Sequence, residues 1–219
     1  MQDTLSALPD NPSPTAPADI GARIARRVQG LRAAQGLSLE ALAARAGVSR
    51  SMISLIERNE ASPTAVVLEK LATGLGVVLA SLFSDADAAN PEACAAALSR
   101  RAAQMSWRDP HSGYLRRNVS PAHALVAPGF VRSPIQIVDV EFPPGARVAY
   151  ETAARSAPVQ QQVWMLVGTM QVTVGEHIHT LDAGDCIAFA LDQPVSYFNP
   201  TTQTTRYAVV IATATGAVL

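Results

Sequence analysis

Ser49, Arg50, Ser51, Ser54 and Arg58 carry the chemistry most readily assigned in this chain. Hydroxyls and guanidinium groups on one edge of a short helix are the donors and acceptors with which base edges are read in a major groove. An arginine there can meet O6 and N7 of guanine with two hydrogen bonds at once. A second group lies in the other half of the chain. Glu151, Gln161, Tyr197 and Asn199 are polar residues spaced through strand-like sequence, and can orient a small organic molecule in an apolar cup. His177 and His179 alternate, so two imidazoles fall on one side of a strand. Two imidazoles are an incomplete set for a divalent metal, which needs three or four converging donors. They follow the turn at Gly175 and are read as solvent-facing. His111 and His123 sit in loops flanked by Pro and Gly. Cys94 falls in an alanine-rich helical stretch and Cys186 in a strand, so neither a disulfide frame nor a zinc site is expected, and both are read as small buried side chains.

The first group needs a short helix held at a fixed angle against another. Residues 39–58, LEALAARAGVSRSMISLIER, have that form: two helices joined at Gly47. Ser38 is an N-cap for the first, with Glu40 in its first turn at the positive end of the helix dipole. Gly47 supplies a positive φ between the helices, and Ser49 caps the second. Ala43 is small where the helices approach. Val48, Ile53 and Ile56 are apolar at positions that share a core, which turns Arg50, Ser51, Ser54 and Arg58 outward. The whole pattern resembles the helix-turn-helix domains of phage-repressor-like regulators, the XRE family, over about residues 21–83. That resemblance implies that the second helix enters the major groove of double-stranded DNA. Ser38 and Arg27 complete the candidate DNA-contacting set. A helical hairpin serving as a protein contact is the alternative.

Flanking sequence extends the helical unit. Asp19 can cap a helix in which Ile24, Val28 and Leu31 recur at helical spacing, with Arg23, Arg26, Arg27 and Arg32 on its remaining surface. Ser62 and Pro63 fit the N-cap and first position of a fourth helix bearing Leu68, Leu71 and Leu75, and residues 79–83 can form a fifth. The fragment GLGVV lacks the third glycine of a dinucleotide loop and follows a helix, so that reading is discarded. Across 219 residues the net charge is -1, but residues 20–84 hold eight Lys and Arg against four Asp and Glu. This local surplus suits phosphate contact, as it would also suit a solvated face. Residues 1–18, with four prolines among Ser, Thr and Ala, read as a disordered arm. Residues 85–104 read as a linker with a short helix opened by Asn90, Pro91 and Glu92. Its Arg100 and Arg101, like Arg116 and Arg117 beyond it, read as solvated, with DNA contact as the alternative.

From Met105 the signals become strand-like: IQIVDVEF, VWMLVG, MQVTVG, CIAFA and YAVVIA, separated by Pro, Gly, Asp and Asn, predict an antiparallel sandwich or barrel. PPGA at residues 143–146, LVGTMQVTVG, LDAGD at 181–185 and FNP at 198–200 resemble the two blocks of the cupin fold, a jelly-roll-like β-barrel, over about residues 142–211. Metal-binding cupins carry a His-x-His pair, a Glu and a third His. The resemblance maps these onto Glu151 and Ala153, Gln161 and Val195, with Asn199 at the following asparagine. The frame is kept and the ligands are not, so the resemblance implies a cupin without a metal at the usual site and without the chemistry a metal supplies. Period-two alternation then lines the cup with Glu151, Ala153, Gln161, Val163, Met165, Val195, Tyr197 and Asn199 as a candidate effector pocket. The alternative is that these side chains simply fill a core.

These readings predict an α + β chain of two domains, an N-terminal five-helix bundle at residues 19–84 and a C-terminal antiparallel β-barrel at 105–219. Its expected role is a sequence-specific, DNA-binding transcriptional regulator, homodimeric on a near-palindromic operator, with a small-molecule effector, no cofactor, no metal and no catalytic activity. A metal-dependent cupin enzyme with a helical appendage, and an antitoxin-like repressor with a protein partner, are the rivals. With no signal-peptide pattern and no apolar run of the ~20 residues a membrane helix needs, a cytoplasmic, membrane-free protein is expected.

Overall fold

A computed structural model describes residues 20–83, 98–121, 133–151 and 158–213. The expected arm, the Asn90-to-Glu92 helix start, Asp19, Cys94, His123 and Ala153 lie outside the described residues.

The helical half comprises α1 (Ile20–Ala34), α2 (Leu39–Ala46), α3 (Arg50–Glu57) and α4 (Ala65–Gly74). Local signals start and stop the middle pair. Ser38 and Ser49 accept from the backbone N–H of Ala41 and Met52, and Gly47 ends α2 in the left-handed region at φ 61°. Leu42, Ala46, Ile53, Ile56, Leu68 and Leu71 interlock with Ile24 and Val28 of α1. At Gly74 an added Cβ would stand 2.9 Å from the Cβ of Ala46, so glycine is what lets α4 lie this close to α2. Two expectations are corrected. The fourth helix starts after Thr64, whose Oγ1 accepts from Val67, and not at Ser62 and Pro63. The fifth helix is a 3-10 turn at Leu79–Phe83, so the unit has four α-helices. Four of those five residues are buried, and a segment burying nearly every side chain in so few residues has no length for an α-helical ladder.

The described residues of the second half form ten strands: β1 (Ser106–Arg108), β2 (Leu115–Asn118), β3 (Ile135–Phe142), β4 (Arg147–Tyr150), β5 (Val159–Val167), β6 (Met170–Val174), β7 (His177–Leu181), β8 (Cys186–Ala190), β9 (Val195–Phe198) and β10 (Thr205–Thr213). They form a six-stranded sheet in the order β1-β2-β3-β10-β5-β8 and a four-stranded sheet in the order β4-β9-β6-β7, with every pairing antiparallel. The expected barrel is therefore corrected to two sheets that do not close, since among the described residues no ladder joins the edges of one to the other. Alternation sends Val138, Val140, Val163, Met165, Tyr207 and Val209 inward from the larger sheet, toward Val148, Met170, Val172, Val195 and Tyr197 of the smaller. The same alternation turns Cys186 out. Phe189 points in, so Cys186, three residues away, is exposed and not buried as its type suggested.

The two halves share one core. Phe83 packs on Trp107 at 5.6 Å between ring centroids, and a relay of rings continues through Tyr114, Phe142, Tyr207 and Tyr197 to Tyr150. Asp109, after β1, crosses the boundary: its Oδ1 accepts from the backbone N–H of Ala65 at 2.8 Å, while Oδ2 accepts from the backbone and hydroxyl of Ser112. A carboxylate from the sheet half thus meets the positive end of α4.

Candidate nucleic-acid interface and inter-domain cavity

The outer edge of α3 gathers the first set of residues. Ile53 and Ile56 hold one face in the core, so Ser49, Arg50, Ser51 and Arg58 are exposed and Ser54 half-exposed. Arg50 forms an ion pair with Glu40 of α2, a contact that bridges the two helices of the pair at their outer surface. The Glu40 carboxyl is held below its ordinary range, first by its own backbone N–H and further by Arg50 and Ser38, against a small cost of burial. Arg58 donates to Ser54 and pairs with Glu60 at 2.7 Å. Pairs this exposed are screened by solvent and exchange readily for a phosphate or a base edge. Ser38, exposed, caps α2. Arg27 is placed differently: half-buried, its Nε donates to the Ser81 carbonyl at 3.1 Å and braces α1 on the 3-10 turn. Arg32 is likewise committed, with a two-point pair to Glu57 at 2.6 and 2.7 Å.

The second set is split by the fold. A cavity of about 60 Å³ opens between α4 and the sheets, and Gln161, Val195 and Tyr197 line it as the alternation predicts. Val163 and Met165 are fully buried in the core outside its lining, because they lie deeper along β5. Asn199 is also buried, and its Nδ2 donates to the carbonyls of Phe142, Pro143 and Gln203, which ties the turn after β9 to the end of β3. Glu151 does not point into the cup. Its side chain is 82% exposed and pairs with Lys70 of α4 at 3.2 Å, since β4 ends at Tyr150 and releases the next residue to the surface.

The cavity takes residues that the sequence reading left aside. Glu69, Val78 and Leu79 enter from the helical half, and Tyr114, Arg116, Tyr150 and Tyr207 from the sheets. Tyr114 and Tyr150 share a hydroxyl contact of 3.2 Å, and Gln161 donates to the Tyr197 hydroxyl. Burial pushes the phenols of Tyr114, Tyr150, Tyr197 and Tyr207 above their usual range, so all four stay protonated across neutral pH. Arg116 is the departure with most consequence, because adjacent arginines ordinarily signal solvent. Strand β2 alternates, so Arg116 turns in and is 6% exposed, while Arg117 turns out to pair with Asp139. The alternation of Tyr114 and Arg116 was the available signal, but a strand of four residues is too short for periodicity to reveal it.

The donors at the family's metal positions do not fit a metal. Val195 has none, Gln161 is engaged with Tyr197, and Glu151 is at the surface beside Lys70. Among the described residues no three His, Cys, Asp or Glu side chains converge as a metal set, and no helix is long and apolar enough to cross a membrane. His177 and His179 are both exposed on β7.

Comparison with known proteins agrees with this geometry. The helix-turn-helix family HTH_3 matches residues 28–81, which span the end of α1 to the 3-10 turn. The chain is 29% identical over 181 residues to the HTH-type transcriptional regulator SutR of Escherichia coli K12, covering 81% of this chain and 87% of that protein. It is 38% identical over 68 residues to the control protein C.MunI of a Mycoplasma species, 92% of which is covered. A crystal structure of an HTH_3 family transcriptional regulator from Vibrio cholerae superposes with a TM-score of 0.66 at 26% identity, over 88% of this chain and 96% of that one. With α3 presenting its polar edge from a helical half joined to a two-sheet antiparallel half, the chain belongs to the XRE-type (HTH_3) helix-turn-helix family of DNA-binding transcriptional regulators.

Proposed function

We propose that this protein is a non-enzymatic, cytoplasmic regulator that binds a near-palindromic operator as a homodimer through α3, and that its sheet domain senses a small molecule. The observation that carries the reading is the edge of α3, where Ser49, Arg50, Ser51, Ser54 and Arg58 line the accessible side of a helix whose other side is anchored by Ile53 and Ile56. A helix capped at Ser49 presents its first turn to a groove, where base edges are contacted. Residues 19–84 act as the reading head and 105–219 as the sensing and pairing unit, with 85–104 between them. Pairing is supported by the outer face of the six-stranded sheet, where Ile135 and Ile137 of β3 and Trp164 of β5 are exposed on the two strands that flank β10. Sensing is supported by the cavity, which is walled by both halves, so an occupant has different contacts when the halves separate.

Selection from a random duplex library followed by footprinting tests the reading. The expected site is a near-palindrome with half-sites about one helical turn, ~34 Å, apart or a multiple of it. Arg50→Ala is expected to lose discrimination at one symmetric base step by about 1–3 kcal/mol. No enriched site, or an Arg50→Ala protein with the parent's base preference, overturns the assignment of α3.

A further inference from the structure

Arg116 presents an unusual state of affairs for a buried cation. Its side chain lines the cavity, is almost fully removed from solvent, and its Nε and Nη2 make no hydrogen bond among the described residues. Its Cζ lies 5.2 Å from the centroid of the Phe83 ring, a contact that partly offsets the charge. A ring face takes up the cation but does not satisfy N–H donors that point along the guanidinium plane. Nε–H and the adjacent Nη2–H are parallel, and together they make the side-on fork that grips a carboxylate at two points. The same fork is used twice elsewhere in this chain: by Arg32 on Glu57 at 2.6 and 2.7 Å, and by Arg206 on Asp139 at 2.8 and 3.1 Å. Of these three arginines, Arg116 is the most buried, and it lines the cavity with this edge unpartnered among the described residues.

We propose that the Nε and Nη2 edge of Arg116 holds the carboxylate of a small monocarboxylic acid in the cavity between α4 and the sheets, and that this acid is the effector. The proposal rests on the regulator reading above and names the ligand class and the group that selects it. Size follows from volume: a cavity of ~150 Å³ holds benzene, so about 60 Å³ has room for an acid of a few heavy atoms. Charge follows from the lining. The guanidinium fork offers two donors to one carboxylate, and Glu69, which enters the cavity from α4, disfavours a dianion such as phosphate or sulfate. The protonated phenols of Tyr114, Tyr150 and Tyr197 supply neutral polar contacts and their rings cover a short apolar chain. Coupling follows from position. Glu69, Val78 and Leu79 belong to the helical half, whose α2 and α4 pack against each other beside α3, so the acid touches the reading head directly. An acid that binds the docked arrangement tenfold more tightly shifts the docking equilibrium by the same factor.

The test uses the full chain with acetate, propionate and lactate as probes, propionamide as the uncharged match, and sulfate and phosphate at equal ionic strength. Binding is read from the methyl resonances of Val78, Leu79 and Val195, and operator affinity is measured in parallel. The expected result is saturable shifts with at least one carboxylate and none with the amide or the inorganic anions. Arg116→Gln should then raise Kd at least tenfold, and the bound acid should change operator affinity in the native protein. Arg116→Lys keeps the charge but loses the parallel fork, so it should also weaken binding about tenfold, and it serves if Arg116→Gln does not fold. The proposal is overturned if no carboxylate shifts these methyls, if the amide or the inorganic anions shift them equally, if the Arg116 variants bind as the native chain does, or if bound acid leaves operator affinity unchanged. Operator binding by acid-free Arg116→Gln separates the two readings: retained recognition with lost acid response leaves the DNA assignment intact and supports this site, whereas a native chain that selects no operator strikes the regulator reading itself.

Discussion

Replacing Asp109 by alanine tests whether the two halves stand together. The carboxylate is 2% exposed and accepts three hydrogen bonds, from Ala65 N at 2.8 Å, Ser112 N at 2.7 Å and Ser112 Oγ at 2.5 Å. Ala65 opens α4, so its N–H is one of the donors a helix cannot satisfy internally. A hydrogen bond to a charged group contributes roughly 1.5–3 kcal/mol, and a carboxylate at a helix N-terminus adds about 0.3–1. Three bonds to one group are not additive, so the expected loss for Asp109→Ala is about 3–4 kcal/mol. Ser112→Ala removes the hydroxyl bond alone and should cost about 1 kcal/mol. Set against a typical stability of ~5–15 kcal/mol, the larger loss is easily measured. Trp107 is the reporter, being two residues from Asp109 and buried against Phe83, and Trp164→Phe removes the other indole of the two in the sequence. Urea unfolding followed by indole fluorescence and far-ultraviolet circular dichroism should show a lowered midpoint, with the fluorescence transition coming first because the contact between halves yields first. Coincident curves with less than 1 kcal/mol of loss would refute the idea that this carboxylate joins the halves.

Two helical glycines should respond oppositely to alanine. Gly30→Ala in α1 meets nothing within 4 Å and should stabilise by about 0.5–1 kcal/mol, whereas Gly74→Ala drives a Cβ to 2.9 Å from Ala46 and should cost about 1–3 kcal/mol despite its better helix propensity. Thermal or chemical unfolding of both variants checks this, and a stabilised Gly74→Ala would contradict the close approach of α2 and α4. Asp139 gives a pH dependence. Burial raises its pKa, but hydrogen bonds and charge from Arg206 and Arg117 outweigh this and hold it below 3.8. Its contribution is therefore complete above that pH and lost as the pH falls through the folded value. Asp139→Asn should be less stable by about 1.5–3 kcal/mol at pH 7, with the gap closing in acid; a gap that persists to pH 2 would show that charge is not its source.

The helix-turn-helix pair was legible because its signals are local. The Ser38 and Ser49 caps, the left-handed Gly47 and the Ile53 and Ile56 spacing each act within one or two turns, and each appears in the structure where the residues implied. The strands from 135 onward announced themselves by alternation in the same way. Segments of three or four residues such as β1, β2 and β4 have too little periodicity to be read, so the sequence does not place Arg116 of β2 in the cavity or Glu151, just past the end of β4, at the surface. The start of α4 was missed for a related reason, since the acceptor for its first N–H comes from Asp109, 44 residues away. Closure of the sheets was likewise a matter of which edges meet, which alternation within a strand cannot specify. Sequence by itself determined the helix-turn-helix pair and the antiparallel class of the sheets. The tertiary structure alone decided that the cavity is shared between the halves and that a buried arginine lines it, because that choice depends on how α4 packs on the sheets and not on any local pattern.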